Sequence, residues 1–356
     1  MTIDPNPRVA APAARREYSL TGLEAALAAQ RGLESAEWYR SPVPRARMKQ
    51  LVQRRNGPAI RDTLIWFAAL GVSATAVLLA WGTWWAVPAF MVYGVLYGSV
   101  SDSRWHEAGH GTAFRTPWMN TWLYHVASFM VFREPVSWRW SHTRHHSDTI
   151  IVGLDPEIAV PRPTPRLLIA LDLVGIVSNL RELRKMGRAA LGRITPQVAT
   201  YLPESERRAA IRWSRIHLLI LFGAITWSVV AGNVLPLMFI GLPSFYGRWL
   251  VMVFGLTQHA GLDEDVLDHR RNTRTVLMNP VLRLMYWNMN YHLEHHMYPN
   301  VPFHALGDLH EEVADDLPPV YHGLWGAYRE IVPVLWRQAK EPSYRIARPL
   351  RSEVLA

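Results

Sequence analysis

Four stretches of this 356-residue chain gather nine of its fifteen histidines: HEAGH (His106, His110), HTRHH (His142, His145, His146), HLEHH (His292, His295, His296) and a single His259 in TQHAG. On a helix, residues four apart share a face, with Cβ atoms roughly 5–6 Å apart, so His106 and His110 can close on one metal ion. In the H-x-x-H-H pattern the first histidine faces the same side as either later one. The two adjacent histidines diverge by about 100° around the axis and are placed to reach two different ions. A structural zinc takes about four ligands and a catalytic zinc about three. Nine imidazoles are too many for one ion and suit two. Imidazole accepts iron, zinc, copper or nickel, so ligand type alone does not name the metal. The remaining histidines His125, His217, His269 and His322 read as structural. His304 and His310 follow the third cluster closely and read the same way, with an outer supporting role as the alternative.

HEAGH also fits the zinc-hydrolase helix H-E-x-x-H, with Glu107 as general base. That reading leaves the other two clusters unexplained. The chain has no cysteine, which excludes a disulfide framework and any cysteine-ligated zinc or iron–sulfur site within it. The formal charge of +9 comes with no nucleic-acid recognition motif. It fits anionic lipid and an acidic electron-transfer partner.

The elements that must hold these histidines are long and apolar. From Thr63 to Ser101 there is no Asp, Glu, Lys or Arg. As one helix this stretch would run roughly 58 Å at about 1.5 Å per residue, whereas the hydrocarbon core is about 30 Å thick. It therefore reads as two spans, 63–82 and 84–101, joined at Gly82-Thr83 with Trp84 and Trp85 at the interface. The block from Ile216 to Gly261, interrupted by Gly232-Asn233 and carrying one charge, Arg248, gives a second hairpin of spans 216–231 and 234–258. Trp118–Phe132 is too short to cross and reads as a buried or interfacial helix. Arg166–Leu180 reads as lying on the membrane surface. Both hairpin turns lack Lys and Arg, so the N-terminal segment, the middle loop and the C-terminal tail are expected in the cytoplasm. Residues 1–17, with Pro5, Pro7 and Pro12, read as a loose tail, and Leu20–Arg31 as a short helix. No signal peptide is expected, and a bacterial-type inner membrane is the expected location. The reading is an all-α integral membrane protein: a segment 1–60, a membrane domain 61–312 with four transmembrane helices and a cytoplasmic helical cap, and a tail 313–356.

At the histidine clusters the sequence resembles the membrane fatty-acid desaturase and hydroxylase superfamily, whose three boxes follow the pattern H-x(3–4)-H, H-x-x-H-H and H/Q-x-x-H-H, separated by two membrane hairpins. The stretch NYHLEHHMYPNVPFHALGDLH extends the likeness beyond the third box, and the resemblance covers roughly residues 60–312. It implies a non-haem di-iron centre held by His106, His110, His142, His145, His146, His292, His295 and His296, with His259 in the place of an extra ligand. It further implies O2 as co-substrate, abstraction of hydrogen from an unactivated C–H bond, and electrons from a separate ferredoxin-, rubredoxin- or cytochrome-type donor with its reductase. A fused H-P-G-G haem segment is absent from the sequence. Ligand imidazoles need acceptors for their outer N–H groups, and Glu107, Asp148, Asp155 and Glu294 are the candidates.

Arg248 falls near mid-membrane, where an ionisable side chain is costly and often functional. It is a candidate for binding a carboxylate or phosphate of the substrate; a bent span with a snorkelling side chain is the bland reading. The function expected is O2-dependent desaturation of an acyl chain on a lipid, CoA or carrier protein. The alternatives are hydroxylation, or desaturation of a smaller metabolite, by the same centre. Zinc hydrolysis through HEAGH and non-catalytic metal binding come from other classes.

Overall fold

A computed structural model describes residues 16–348 and 350; the expected N-terminal tail up to residue 15 lies outside them. The described chain is helical apart from two short paired strands, Val276–Leu277 and Tyr321–His322. The helices that matter for the site are α1 (Asn56–Ala80), α2 (Ala86–Gly94), α3 (Val100–His110), α4 (Pro117–Met130), α5 (Pro135–Ser147), α6 (Ile176–Ala190), α7 (Arg207–Val230), α8 (Trp249–His259), α9 (His292–Met297) and α10 (Gly323–Gln338).

Two helical stretches, Arg45–Ala80 and Glu204–Val230, are long and apolar enough to cross a bilayer. Their outer faces are apolar: Leu79 is 84% exposed and Val230 82%, which suits lipid contact far better than water. Both turns fall where sequence places them. Gly82 and Gly232 have positive φ, a conformation glycine adopts at no steric cost. Asn233 then caps the next turn, its Oδ1 accepting from Leu235 N at 2.9 Å.

The returning arm of each hairpin departs from a plain helix. The first is α2 and α3 joined through a π-helical turn, Val95–Ser99. The expected fourth span, 234–258, is broken into Leu235–Phe239, Pro243–Tyr246 and α8. The reason lies in the residues. Gly241 has positive φ, and Pro243 lacks a backbone donor. Gly247 lies so close to the first arm that a Cβ there would sit 1.8 Å from the Gly94 carbonyl oxygen. Backbone packs on backbone at this crossing. Ser99 then satisfies groups freed by the break, donating to the Gly247 carbonyl at 2.5 Å and accepting from Val251 N at 2.9 Å. Such repair is what an interrupted helix needs wherever water does not reach the freed groups.

Trp118–Phe132 forms α4, as a short helix packed along α3. The expected surface segment Arg166–Leu180 divides at Gly175, which has positive φ, into Arg166–Asp172 and the start of α6. Leu20–Arg31 contains the helix Leu23–Gln30.

Candidate metal centre

Each histidine cluster is delivered by the end of a helix. α3 carries His106 and His110 and stops at Gly111, whose φ of +69° provides a left-handed cap. α5 carries the second cluster. Its start is fixed by Pro135 and by the Glu134 carboxylate, which accepts from Val136 N at 2.9 Å and Ser137 N at 2.7 Å, an arrangement worth about 1 kcal/mol. α9 carries the third cluster, and His259 ends α8.

These four elements bring all nine imidazoles together in two groups. His106, His110, His142, His146 and His295 form one; His145, His259, His292 and His296 form the other. Within each, the potential ligand atoms lie within 4.8 Å of one another. The i, i+4 pairs share a group, and the histidine between them in H-x-x-H-H crosses to the other. His145 therefore joins the group built on α9, and His295 the group built on α3 and α5. Neighbouring rings lock the two groups side by side, with His146 stacked on His296 at 4.4 Å between centroids.

The donor set fits metal ions. The Nε2 atoms of His110 and His142, His142 and His146, and His146 and His295 lie 3.1, 3.2 and 3.2 Å apart. In the second group His259 and His292 are 3.2 Å apart, and His292 and His296 3.0 Å. Two nitrogens at right angles about an ion, each bonded at about 2.1 Å, would be about 3.0 Å apart. Proton sharing does not account for the spacing equally well, because several outer nitrogens already hold their N–H. His259 donates from Nδ1 to the Asn272 carbonyl at 2.8 Å, which fixes a bare lone pair on Nε2. Thr149 gives its hydroxyl proton to the His145 carbonyl at 2.7 Å, so at 3.1 Å it accepts from His296 Nδ1. His145 Nδ1 donates to Asp155 at 2.8 Å and His142 Nδ1 to Glu157 at 3.0 Å. His106 is buried with no partner at either nitrogen, a cost of about 1–3 kcal/mol for each orphaned group that a bound cation would relieve.

Electrostatics agree. Burial, reinforced by adjacent imidazoles, holds His106, His142, His146, His292, His295 and His296 well below the ordinary imidazole range. His259 is depressed likewise, and His110 is brought down to about 4. Neutral imidazole is the form that binds metal. His145 differs: burial is the largest influence and lowers it, but the charge and hydrogen bond of Asp155, with the charge of Glu157, together raise it on balance.

Of the four carboxylates expected to support the ligands, Asp155 touches one. Its Oδ2 also accepts from Ile150 N at 2.7 Å, and Oδ1 from Glu157 N at 2.7 Å. Glu107 lies 3.7 Å from His295 Nδ1 and accepts from Phe303 N at 3.1 Å and Thr112 Oγ1 at 3.2 Å. Burial pushes Glu107 up to about 8. Asp148 turns to Arg144, because α5 has already ended and its side chain faces back along the helix. Glu294 lies on the far side of α9 and accepts from Thr275 Oγ1 and from His310 Nδ1, each at 2.5 Å. Sequence reasoning missed Glu157, Thr149 and the Asn272 carbonyl. Asp155-Pro156-Glu157, a paired acid soon after HTRHH, was a legible signal for the first; nothing local marks the other two.

Arg248 is buried at the start of α8, 3.8 Å from Asp172. Asp172 in turn accepts from Ser178 N at 2.7 Å. The guanidinium thus has an acidic neighbour within the chain.

A cavity of about 100 Å³ opens against the rings of His106, His142, His145, His259 and His292. Trp105 and Ile150 line it together with two arginines, Arg133 and Arg162, which pair with Asp102 and Glu264. Glu157 lines it as well, so its wall is polar and carries three carboxylates against two arginines.

The chain is similar over 292 residues to an acyl-lipid omega-3 desaturase (cytochrome b5) of the endoplasmic reticulum of Arabidopsis thaliana, at 22% identity, covering 76% of this chain and 71% of the relative. A family model described as fatty acid desaturase matches residues 82–328, a stretch that holds every one of the nine converging histidines and more than half of the sequence. The chain belongs to the fatty acid desaturase family.

Proposed function

We propose that this protein is a membrane-bound oxidoreductase that introduces a double bond into a fatty acyl chain, using O2 and two iron ions held by the nine histidines. The observation that carries the reading is the division of these imidazoles into a group of five and a group of four with lone pairs turned inward. Iron bound there supplies reductive activation of O2 and the removal of hydrogen from an unactivated methylene.

The chain's own residues supply the rest. Asp155, Glu157, Thr149 and the Asn272 carbonyl hold the outer N–H of His145, His142, His296 and His259, so each ring keeps one tautomer and one orientation. Six of the nine are buried and His110, His146 and His259 are half-buried, which limits the access of bulk water that would otherwise intercept a reactive oxidant. The cavity beside the rings limits how much of a substrate can approach.

The two hairpins place four segments through the bilayer, with the histidine-bearing helix ends and both termini on the cytoplasmic side, in a bacterial-type inner membrane. Electrons come from a separate ferredoxin-, rubredoxin- or cytochrome-type protein. Hydroxylation or a smaller metabolite substrate is the second reading, favoured by the polar wall around the cavity. Nothing favours a zinc hydrolase: that reading uses only His106 and His110 with Glu107 and leaves the other seven converging histidines without a role.

The test is metal analysis of purified protein together with mass spectrometry of lipid and metabolite extracts after co-expression with a ferredoxin system. About two irons per chain and a product lighter by two hydrogens are expected. A product heavier by one oxygen selects hydroxylation. One zinc and no iron refutes the reading.

A further inference from the structure

Outside the ligand set, the ring of His269 lies 5.2 Å from that of the ligand His296. On its other face the Trp38 indole is stacked at 4.3 Å, the planes only 7° from parallel. Trp38 is half-buried at the surface and is pinned by its Nε1, which donates to the Ser147 carbonyl at 2.8 Å. Ser147 ends the helix that carries His145 and His146. A continuous aromatic column thus runs from solvent to the four-histidine group through one intervening ring. Trp105 also meets a ligand, His142, at 5.4 Å, but it is buried. Its neighbour Trp138 is tied to Glu182 of α6.

Glu34 and Glu37 precede Trp38, and the segment that follows it in sequence is basic. Beyond Glu37 no acidic residue occurs until Asp62, while Arg40, Arg45, Lys49, Arg54 and Arg55 are exposed. Arg40 adjoins Tyr298 and is near enough to His269 to disfavour its protonation. An aromatic side chain beside an exposed arginine, with a basic segment following, suits an interface with an acidic partner.

We propose that Trp38, Arg40 and the basic segment that follows form the docking site of the electron donor, an acidic one-electron carrier protein, and that the Trp38–His269 column is the route by which electrons reach the metal centre. This deepens the function proposed above and rests on it. Each passage oxidises the carrier by one electron and reduces one ferric ion to ferrous; two passages reduce the pair, and no atoms are transferred.

The probe is an acidic [2Fe–2S] ferredoxin, with the full-length protein in nanodiscs. Its binding to metal-free protein is measured at low and high salt, and its reduction of the iron-loaded protein by stopped-flow absorbance. Trp38→Ala and Arg40→Glu are each expected to weaken binding by about tenfold or more, as loss of a central interface residue does, and Arg40→Glu to flatten the salt dependence. Both should keep full iron content, and dithionite, which needs no docking, should reduce them at the wild-type rate. Arg329→Glu, on the exposed side of α10, is the surface control and should bind normally. Wild-type affinity and wild-type reduction by ferredoxin in both variants would overturn the proposal. So would loss of binding to anionic vesicles with ferredoxin affinity unchanged, which would assign the basic segment to lipid. Absence of iron from the wild-type protein would instead sink the oxidase function, and the metal-free binding measurement would still decide the docking site.

Discussion

Asp155 and Glu157 stand two residues apart, but each supports a ligand of a different metal group. Asp155 takes the outer N–H of His145, in the four-histidine group; Glu157 takes that of His142, in the five-histidine group. Asp155→Asn removes the charge that orients and enriches His145, and turns an acceptor shared with Ile150 N and Glu157 N into a group with mixed polarity. Loss of such an outer partner costs about 10–100-fold in metal affinity, or about 1.4–2.7 kcal/mol at one ion. Glu157→Gln is expected to produce the same loss at the other ion. Iron per chain after equilibration against a graded chelator is the assay, read with Mössbauer spectra that separate paired from isolated iron. In each variant one iron should leave before the other, and iron should pass through a state near one per chain instead of falling from two to none together. If Asp155→Asn released both irons in parallel, or held both as the wild type does, the assignment of these carboxylates to separate groups would be wrong. Unfolding measurements on the same samples guard against a trivial loss, since the orphaned backbone donors cost about 1–3 kcal/mol.

Gly247→Ala should destabilise the protein by about 3 kcal/mol or more, because its Cβ would meet backbone that cannot yield. Gly223→Ala, within α7 and with nothing near its Cβ, should be neutral or stabilising by up to about 1 kcal/mol; comparison of thermal unfolding in one detergent checks both. The metal-free protein should lose stability as pH falls below about 6.5, the ordinary imidazole value. The unfolded chain takes up protons there, while His106, His110 and the other depressed ligands resist them; each contributes up to about 1.4 kcal/mol per pH unit. His145, raised by Asp155, works in the opposite sense, and a melting temperature flat between about pH 7.5 and 5.5 would contradict the burial described. Arg248→Met should cost about 3–5 kcal/mol by stranding Asp172, and the double variant with Asp172→Asn should recover much of it. If Arg248→Met instead leaves stability intact and abolishes turnover at full iron content, Arg248 serves the substrate.

Residue types and spacing alone settled which side chains would meet. Three clusters at intervals of three and four on helix ends, with His259, are the side chains that converge, since helical periodicity is fixed by the backbone and survives any packing. The turns at Gly82 and Gly232 were equally legible, because glycine alone adopts their conformation without cost. Spacing could not decide whether the first histidine of H-x-x-H-H would share its ion with the residue three or four places on, because both lie on the same side of the helix. The approach of α5 and α9 decided it, sending His145 and His295 across to the opposite groups. Tertiary packing likewise chose Glu157, Thr149 and the Asn272 carbonyl as acceptors, and bent the fourth apolar segment where Gly247 meets Gly94. These features depend on how far one helix is translated and rotated against another. No period within a single segment encodes that, and only the packed chain fixes it.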